Sequence, residues 1–493
     1  MNDMRVNEIS ECTRLMFQSI AVLVTLLLFV APPIAHAALE RQQMRFSITI
    51  NDDLQKLAIK SCFDTGATPS TLIASKALAG RIQNVRAMLT DGSIRNLEIR
   101  DRKIDLSDID ASCVHYSVAL KRDQTNARRS GFNHHNGGVV LAFDHFLLRA
   151  VGSVVWSTTR LDFSTDHGVQ VLAPGKLLLG ENGDQSFEFQ DRPSNWSGAI
   201  AFGELTLKVV RIAEVDVRIA IVGKVSPLVA EKLQTWVATG IDTLTGLYGR
   251  IPVPSAQIIV FPLAHNSDPV PWGEVTRGGA DAVHLYVDST RPLGDLTSNW
   301  VISHELSHLI HPYLTHSDAW LSEGVASYYQ NVLRARAGLI KPQLAWKKLH
   351  AGFERGAAQV TRADTLAEDT QEMLDKGRYM RVYWGGAAIA FIADVNFRHQ
   401  SKGRISLDSV FDRYSRCCLP SKQRVSAFEL MAALDTIAEM DVLVPLYKRY
   451  AMTPQFPDLT QSYQKLGITH HTATLAFSET PETRDLRAAI MGK

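Results

Sequence analysis

His304-Glu305-Leu306-Ser307-His308, separated by 14 residues from Glu323 in Trp320-Leu321-Ser322-Glu323-Gly324, is the stretch of this 493-residue chain on which its reading turns. With about 100° between successive helical residues, His304 and His308 fall one turn apart on one face, so both imidazoles can meet one ion. Glu305 falls beside them, placed to take a proton from water without being a ligand. The five-residue pattern also arises by chance on surface helices, so the third ligand decides. Gly and His three and six residues after the second histidine would complete one kind of site, but His311 and Leu314 stand there. A glutamate from the following helix is the other route, and Glu323 supplies it. Two imidazoles and one carboxylate leave Zn²⁺ an open position, as a catalytic site requires. His311 lies about 300° beyond His308 on the helix, and His316 follows the break at Pro312, so both read as polar neighbours rather than ligands.

Outward from this stretch, the spacing predicts a helix from about Trp300 to His311 that stops at Pro312. A second helix is expected from about Ala319 into the 330s, capped by Asp318 or Ser317. Pro227 to Tyr248 has helical spacing, and Gln257 to Pro262 and Ala282 to Val287 read as strands. The latter is expected to be the edge strand along which an extended peptide could add. Residues 38–223 read as a β-sandwich: Met44 to Ile50, Cys113 to Leu120, Gln170 to Leu172 and Leu205 to Val210 alternate or cluster β-branched residues between turn residues. Residues 339–493 are dominated by apolar residues at three-to-four spacing, which predicts an α-helical C-terminal domain. The expected fold class is therefore multidomain α+β, with the metal motif in residues 224–338.

The N-terminus carries Arg5 and Arg14, an apolar run from Ile20 to Val30, and Ala35-His36-Ala37. This is a secretory layout, with residues 1–37 as signal peptide and the remainder exported to the periplasm or medium. The run is short of the roughly 20 residues of a spanning helix, so no membrane span is expected after cleavage; a retained anchor is the alternative. Lys plus Arg (52) and Asp plus Glu (51) nearly cancel, which excludes a global field for nucleic acid. The partner expected is a peptide or protein substrate, and the sequence sets no oligomeric state. Cys62 and Cys113 share a strand-like region and could bridge, whereas adjacent Cys417 and Cys418 do not easily bond each other. Asp64-Thr65-Gly66 has the look of an aspartic-peptidase loop. With one copy it cannot supply the paired carboxylates of such enzymes, and it reads as a turn.

The segment Trp320-Leu-Ser-Glu-Gly resembles the W-x-x-E-G segment of the gluzincins, the group that includes aminopeptidase N and the glycyl aminopeptidases. Glu323-Gly-Val-Ala-Ser-Tyr-Tyr followed by Arg336-Ala-Gly-Leu-Ile340 is similar to the glycyl aminopeptidases in particular. Val382-Tyr383-Trp-Gly-Gly386-Ala387 resembles the segment that carries their catalytic tyrosine, and Asp394, Arg398 and Gly403 to Val410 continue the pattern. Gly278-Gly279-Ala280-Asp281 stands where these enzymes carry a G-x-M-E-N or G-G-L-E element whose glutamate binds the substrate's α-amine. The chain departs from the family in five places, the first being the 14 residues between His308 and Glu323, fewer than in aminopeptidase N. Asp281 replaces that glutamate, Leu309-Ile310 replaces a Trp-Asn, Gly385 replaces a lysine, and no PDZ-like tail follows Leu443.

The resemblance implies a thermolysin-like zincin fold for residues 224–338. It implies Zn²⁺ on His304, His308 and Glu323, Glu305 as general base and Tyr383 as donor to the oxyanion. It also implies substrate binding by Asp281, at the α-amine, and by Gly279. Asp281 read on its own is equally a turn residue that opens a strand. The activity implied is aminopeptidase-like hydrolysis. An endopeptidase of the same clan is the alternative if Asp281 does not reach an amine, and a silent peptide-binding protein is the alternative outside enzymes.

Overall fold

Alternation builds the N-terminal part: in Gln42–Ile50, Met44, Phe46, Ile48 and Ile50 turn inward while Arg45 and Thr49 face out. The computed structural model describes residues 42–64, 68–120, 131–151, 156–166, 168–179, 185–189, 198–277, 281–360, 363–419, 421, 424–471 and 474–492. The signal layout of residues 1–37 therefore lies outside the described residues. Strand Gln42–Ile50 runs parallel to Trp156–Thr165 and antiparallel to Lys56–Cys62 in an eight-stranded sheet. This sheet, a three-stranded and a four-stranded one surround an apolar core between Met44 and Phe202. Cys62 and Cys113 stand in register on adjacent strands and are joined by the expected disulfide. Asp64 accepts a hydrogen bond from the Gln43 amide at 2.8 Å, a turn contact; Thr65 to Ala67 lie outside the described residues.

The second sheet positions the site. Its strands lie in the order Leu205–Ile212, Val215–Val222, Ala256–Leu263, Asp281–Asp288, Trp272–Thr276. Val215–Val222, Ala256–Leu263 and Asp281–Asp288 are parallel, and Trp272–Thr276 closes one edge antiparallel. This corrects the expected edge. Ala282 to Val287 is apolar on both faces because it is an interior strand, buried between two neighbours, and the strand outside it is Trp272–Thr276. One face of the sheet packs on Pro227–Tyr248, whose Ser226 side chain accepts from the Val229 amide and whose Gly249 ends the helix at φ 69°. The other face meets the N-terminal strands through Ile259, Phe261, Tyr286, Val140 and Leu172.

Helices Ala319–Arg336, Pro342–Ala358, Tyr379–Gln400 and Leu407–Cys418 share one core with this sheet, running from Val215 to Met491. The whole is an α+β fold of mixed sheets and many helices. Among the described residues no helix is long and apolar enough to cross a membrane. Cys417 and Cys418, expected not to pair, are joined in the structure. They are the last two residues of helix Leu407–Cys418, and the chain turns extended at Leu419, so no following helical turn holds Cys418.

Candidate metal centre

The two histidines reach one point by a route that differs slightly from the expected continuous helix. The α-helix spans Val301–Ser307, and His308–Ile310 tightens into a 3₁₀ turn before His311 turns extended. The short connection is then fixed in two places. Thr315 N donates to Val425 O at 3.0 Å and Val425 N to Tyr313 O at 2.9 Å, and a 3₁₀ turn at His316–Asp318 leads into Ala319–Arg336. Asp318 does not cap that helix with its side chain, as had been expected; its carboxylate accepts from Thr315 Oγ1 at 2.5 Å.

The ligand atoms of His304, His308 and Glu323 all lie within 4.8 Å of one another. Glu323 Oε2 is 3.1 Å from His304 Nε2 and 3.7 Å from His308 Nε2. Two nitrogens and one carboxylate oxygen, all largely buried, form the donor set of a catalytic zinc site, and a divalent cation fits between them. Each imidazole has a partner on its far nitrogen. His304 Nδ1 is 2.9 Å from Gln330 Oε1, and His308 Nδ1 is 3.1 Å from Ser322 Oγ. His311, buried, packs its ring 5.6 Å from that of His308 and is no part of the triad, while His316 is exposed.

Electrostatics follow from burial and from these contacts. Burial opposes the charge on Glu323, yet His308 and the hydrogen bonds from His304 and Tyr383 hold it below the usual carboxylate range. Burial drives His308 well below its ordinary value, and burial with Arg277 pushes His311 down to about 3. Burial opposes the charge on His304, but the hydrogen bond with Glu323 and the nearby Glu305 outweigh it and raise its pKa. Glu305 is pushed up to about 8, first by burial and then by Glu323 and Glu274, with His304 opposing. A bound dication would reverse part of that shift.

Glu305 lies against the edge strand, and Gly273 makes this approach possible. A Cβ there would stand 2.6 Å from Glu305 Cγ. Tyr383 joins the triad directly, its ring stacked at 5.8 Å on His304 and its hydroxyl hydrogen-bonded to Glu323. Burial and the two glutamates raise the phenol well above its ordinary value, so it stays protonated. Trp300 also touches His304, edge-on at 5.3 Å, and is 40% exposed.

Asp281 comes from the sheet, whereas helical segments carry the triad. It opens strand Asp281–Asp288, where burial raises its pKa and Arg277 opposes. Gly279, with Gly278 and Ala280, lies outside the described residues. Four residues near the centre escaped the sequence reading: Gln330, Ser322, Arg277 and Glu274. Gln330 stands seven residues after Glu323 on one helical face, which was a readable signal. Arg277 donates to the carbonyl oxygens of His308 and His311, the latter at 2.7 Å, and no local pattern announces that. Asp394, Arg398, Asp408 and Arg336 form a largely buried network among helices Ala319–Arg336, Tyr379–Gln400 and Leu407–Cys418. Arg398 joins Asp394 at 3.0 Å to Asp408 at 2.7 Å, and Tyr328 and Tyr329 donate to the same two carboxylates at 2.8 Å.

Comparison with known proteins accords with this geometry. A search of curated proteins finds no match. The fold is similar to that of an aminopeptidase N family protein from Idiomarina loihiensis, with a TM-score of 0.64 at 15% identity over 86% of this chain and 78% of the other. It is also similar to an M1 zinc metallopeptidase from Deinococcus radiodurans, with a TM-score of 0.54 at 15% identity over 85% of this chain and 95% of the other. A substitution variant of the latter was solved with a Tyr-Ser-Ala substrate, and it gives a TM-score of 0.52 over the same shares at the same identity. Residues 310–389, which carry Glu323 and Tyr383, match the family model described as M61 glycyl aminopeptidase, so the chain resembles the glycyl aminopeptidases there and has an aminopeptidase N-like fold throughout most of its length.

Proposed function

We propose that this protein is a zinc-dependent peptidase of the gluzincin type, in which His304, His308 and Glu323 hold the metal. The observation that carries the reading is the convergence of three ligand atoms within 4.8 Å, with Glu305 buried beside them. Zinc in such a site supplies a Lewis acid for the scissile carbonyl and acidifies water. Glu305 takes a proton from the attacking water and returns it to the departing amine. Its raised affinity for a proton in a buried setting suits that exchange. Tyr383, protonated and within reach of Glu323, turns its hydroxyl to the carbonyl oxygen as negative charge grows there. Trp272–Thr276, the last strand of the second sheet on the side of Asp281–Asp288 among the described residues, is where an extended substrate backbone would add. The export reading is supported by two paired disulfides, which suit an oxidising compartment.

The resemblance favours an aminopeptidase with Asp281 at the substrate amine. A specific observation favours the endopeptidase reading instead, because Arg277 already faces Asp281 and competes with an incoming ammonium. Hydrolysis of one peptide with a free and an acetylated N-terminus, by wild type and Asp281→Asn, separates the two. An aminopeptidase rejects the acetylated peptide, and the variant then loses activity on the free one. Equal cleavage of both peptides by both proteins establishes the endopeptidase.

A further inference from the structure

The two histidine ligands differ in what stands behind them. His304 is backed by the amide of Gln330, which can present either an acceptor oxygen or a donor nitrogen and so does not by itself dictate where the imidazole proton sits. Behind His308 the contacts end on a backbone carbonyl, which can only accept. His311 Nδ1 lies 2.8 Å from Pro312 O, so Nδ1 carries the hydrogen and Nε2 of the neutral ring is a bare acceptor. Ser322 Oγ lies 3.4 Å from that Nε2 and 3.1 Å from His308 Nδ1. The hydroxyl hydrogen goes to His311, which leaves the oxygen to accept from His308 Nδ1–H. The direction of every bond is thus set by the carbonyl at its end.

We propose that Ser322 and His311 are positioning residues for His308, a one-way hydrogen-bond relay that keeps the His308 hydrogen on Nδ1 and Nε2 bare for the metal. This rests on the metallopeptidase reading given above. Without the relay Glu323 Oε2, 3.7 Å from Nε2, competes for the His308 hydrogen. A hydrogen drawn to Nε2 by that carboxylate would have to leave before a cation could bind. Arg277 holds the geometry by donating to the carbonyl oxygens of both His308 and His311, so the turn that carries the two rings cannot open without breaking charge-assisted bonds. Ser322 precedes Glu323 in the same helix, so one element fixes a ligand and orients another.

The test uses the full chain, with zinc affinity measured by chelator competition and imidazole tautomers read by ¹⁵N NMR on metal-free protein. In wild type His308 should show the Nδ1–H form. Ser322→Ala should weaken zinc binding about 10- to 100-fold and give His308 a mixture of forms, while Ser322→Thr, which keeps the hydroxyl, should stay within a few-fold of wild type. His311→Phe should go further, because the freed Ser322 hydroxyl can now donate to His308 Nδ1 and drive the hydrogen to Nε2. If that variant does not fold, the Ala and Thr pair at Ser322 decides. Unchanged zinc affinity and an unchanged Nδ1–H signal in folded Ser322→Ala overturn the relay. If wild type itself binds no zinc, the metallopeptidase reading fails, and the tautomer signals in metal-free protein still decide whether the relay exists.

Discussion

Gly324 and Gly386 meet backbone to backbone: a methyl group on Gly386 would come within 2.0 Å of the Trp320 carbonyl oxygen, and one on Gly324 within 2.3 Å of the Gly386 carbonyl carbon. Helices Ala319–Arg336 and Tyr379–Gln400 therefore cross closer than side chains would allow. Glu323 is the residue before one glycine, and Tyr383 lies about one turn before the other, so the crossing brings the phenol to the carboxylate. Gly386→Ala should destabilise the protein by about 1 to 3 kcal/mol, because the obstructing atoms are backbone and cannot step aside. It should also lower kcat by moving Tyr383. Urea unfolding together with steady-state kinetics checks both effects, and an alanine variant of wild-type stability and rate would show that the helices cross elsewhere.

Glu305→Gln should keep its metal and lose turnover by a factor of roughly 100 or more, since an amide cannot take the water proton. The charge removed is already opposed by burial and by Glu323 and Glu274, so the fold should tolerate the change. Metal content and single-turnover hydrolysis read the two halves of this expectation. Near-normal hydrolysis by the metal-loaded variant would mean that another group is the base.

Tyr383→Phe should depress kcat by roughly 100- to 1,000-fold with little change in KM, because the carbonyl oxygen becomes an oxyanion only in the transition state. The ring keeps its stacking on His304, so the substitution removes the hydroxyl alone. A change confined to KM would make Tyr383 a binding residue and turn attention to Tyr379, whose ring lies 6.5 Å away.

Asp408 links Arg398, Arg336 and Tyr329, and the two guanidinium groups hold its carboxyl below the usual range although burial pulls the other way. A lowered folded-state pKa gives stability that is present above the ordinary carboxylate pKa and is lost as pH falls through the folded value. Asp408→Asn should therefore cost about 3 to 5 kcal/mol at pH 7, the scale for stranding buried charges. The gap between wild type and variant should narrow as the pH is taken below about 4. Urea titrations across pH check this, and a gap that does not change with pH would remove the charge from the account.

How much of this was legible in the sequence differs by the range of the contact. The three ligands were readable, because helical periodicity places His304 and His308 together, and with His311 and Leu314 where a third histidine pattern would need Gly and His, the glutamate of the following helix was left. The pairing of Cys62 with Cys113 was readable from two strand-like segments. The edge strand was misplaced because β-propensity marks a strand without saying what flanks it; the two-faced apolar run of Asp281–Asp288 was itself the sign of an interior position. Arg277 and Ser322 were missed because their roles depend on where the turn after His308 folds back. A tightening from α to 3₁₀ at His308 is decided by those tertiary contacts and not by residue spacing.

The central claim is that His304, His308 and Glu323 hold a zinc ion that peptide hydrolysis requires. Its most direct test is the zinc content of purified protein, measured together with hydrolysis of a peptide library before chelation, after it, and after zinc is restored, for wild type and Glu323→Ala. The account predicts about one zinc per wild-type chain, hydrolysis that is lost on chelation and recovered with zinc, and a Glu323→Ala protein that is folded but poor in both. Full zinc occupancy in Glu323→Ala, or hydrolysis by wild type that survives complete removal of metal, would contradict it.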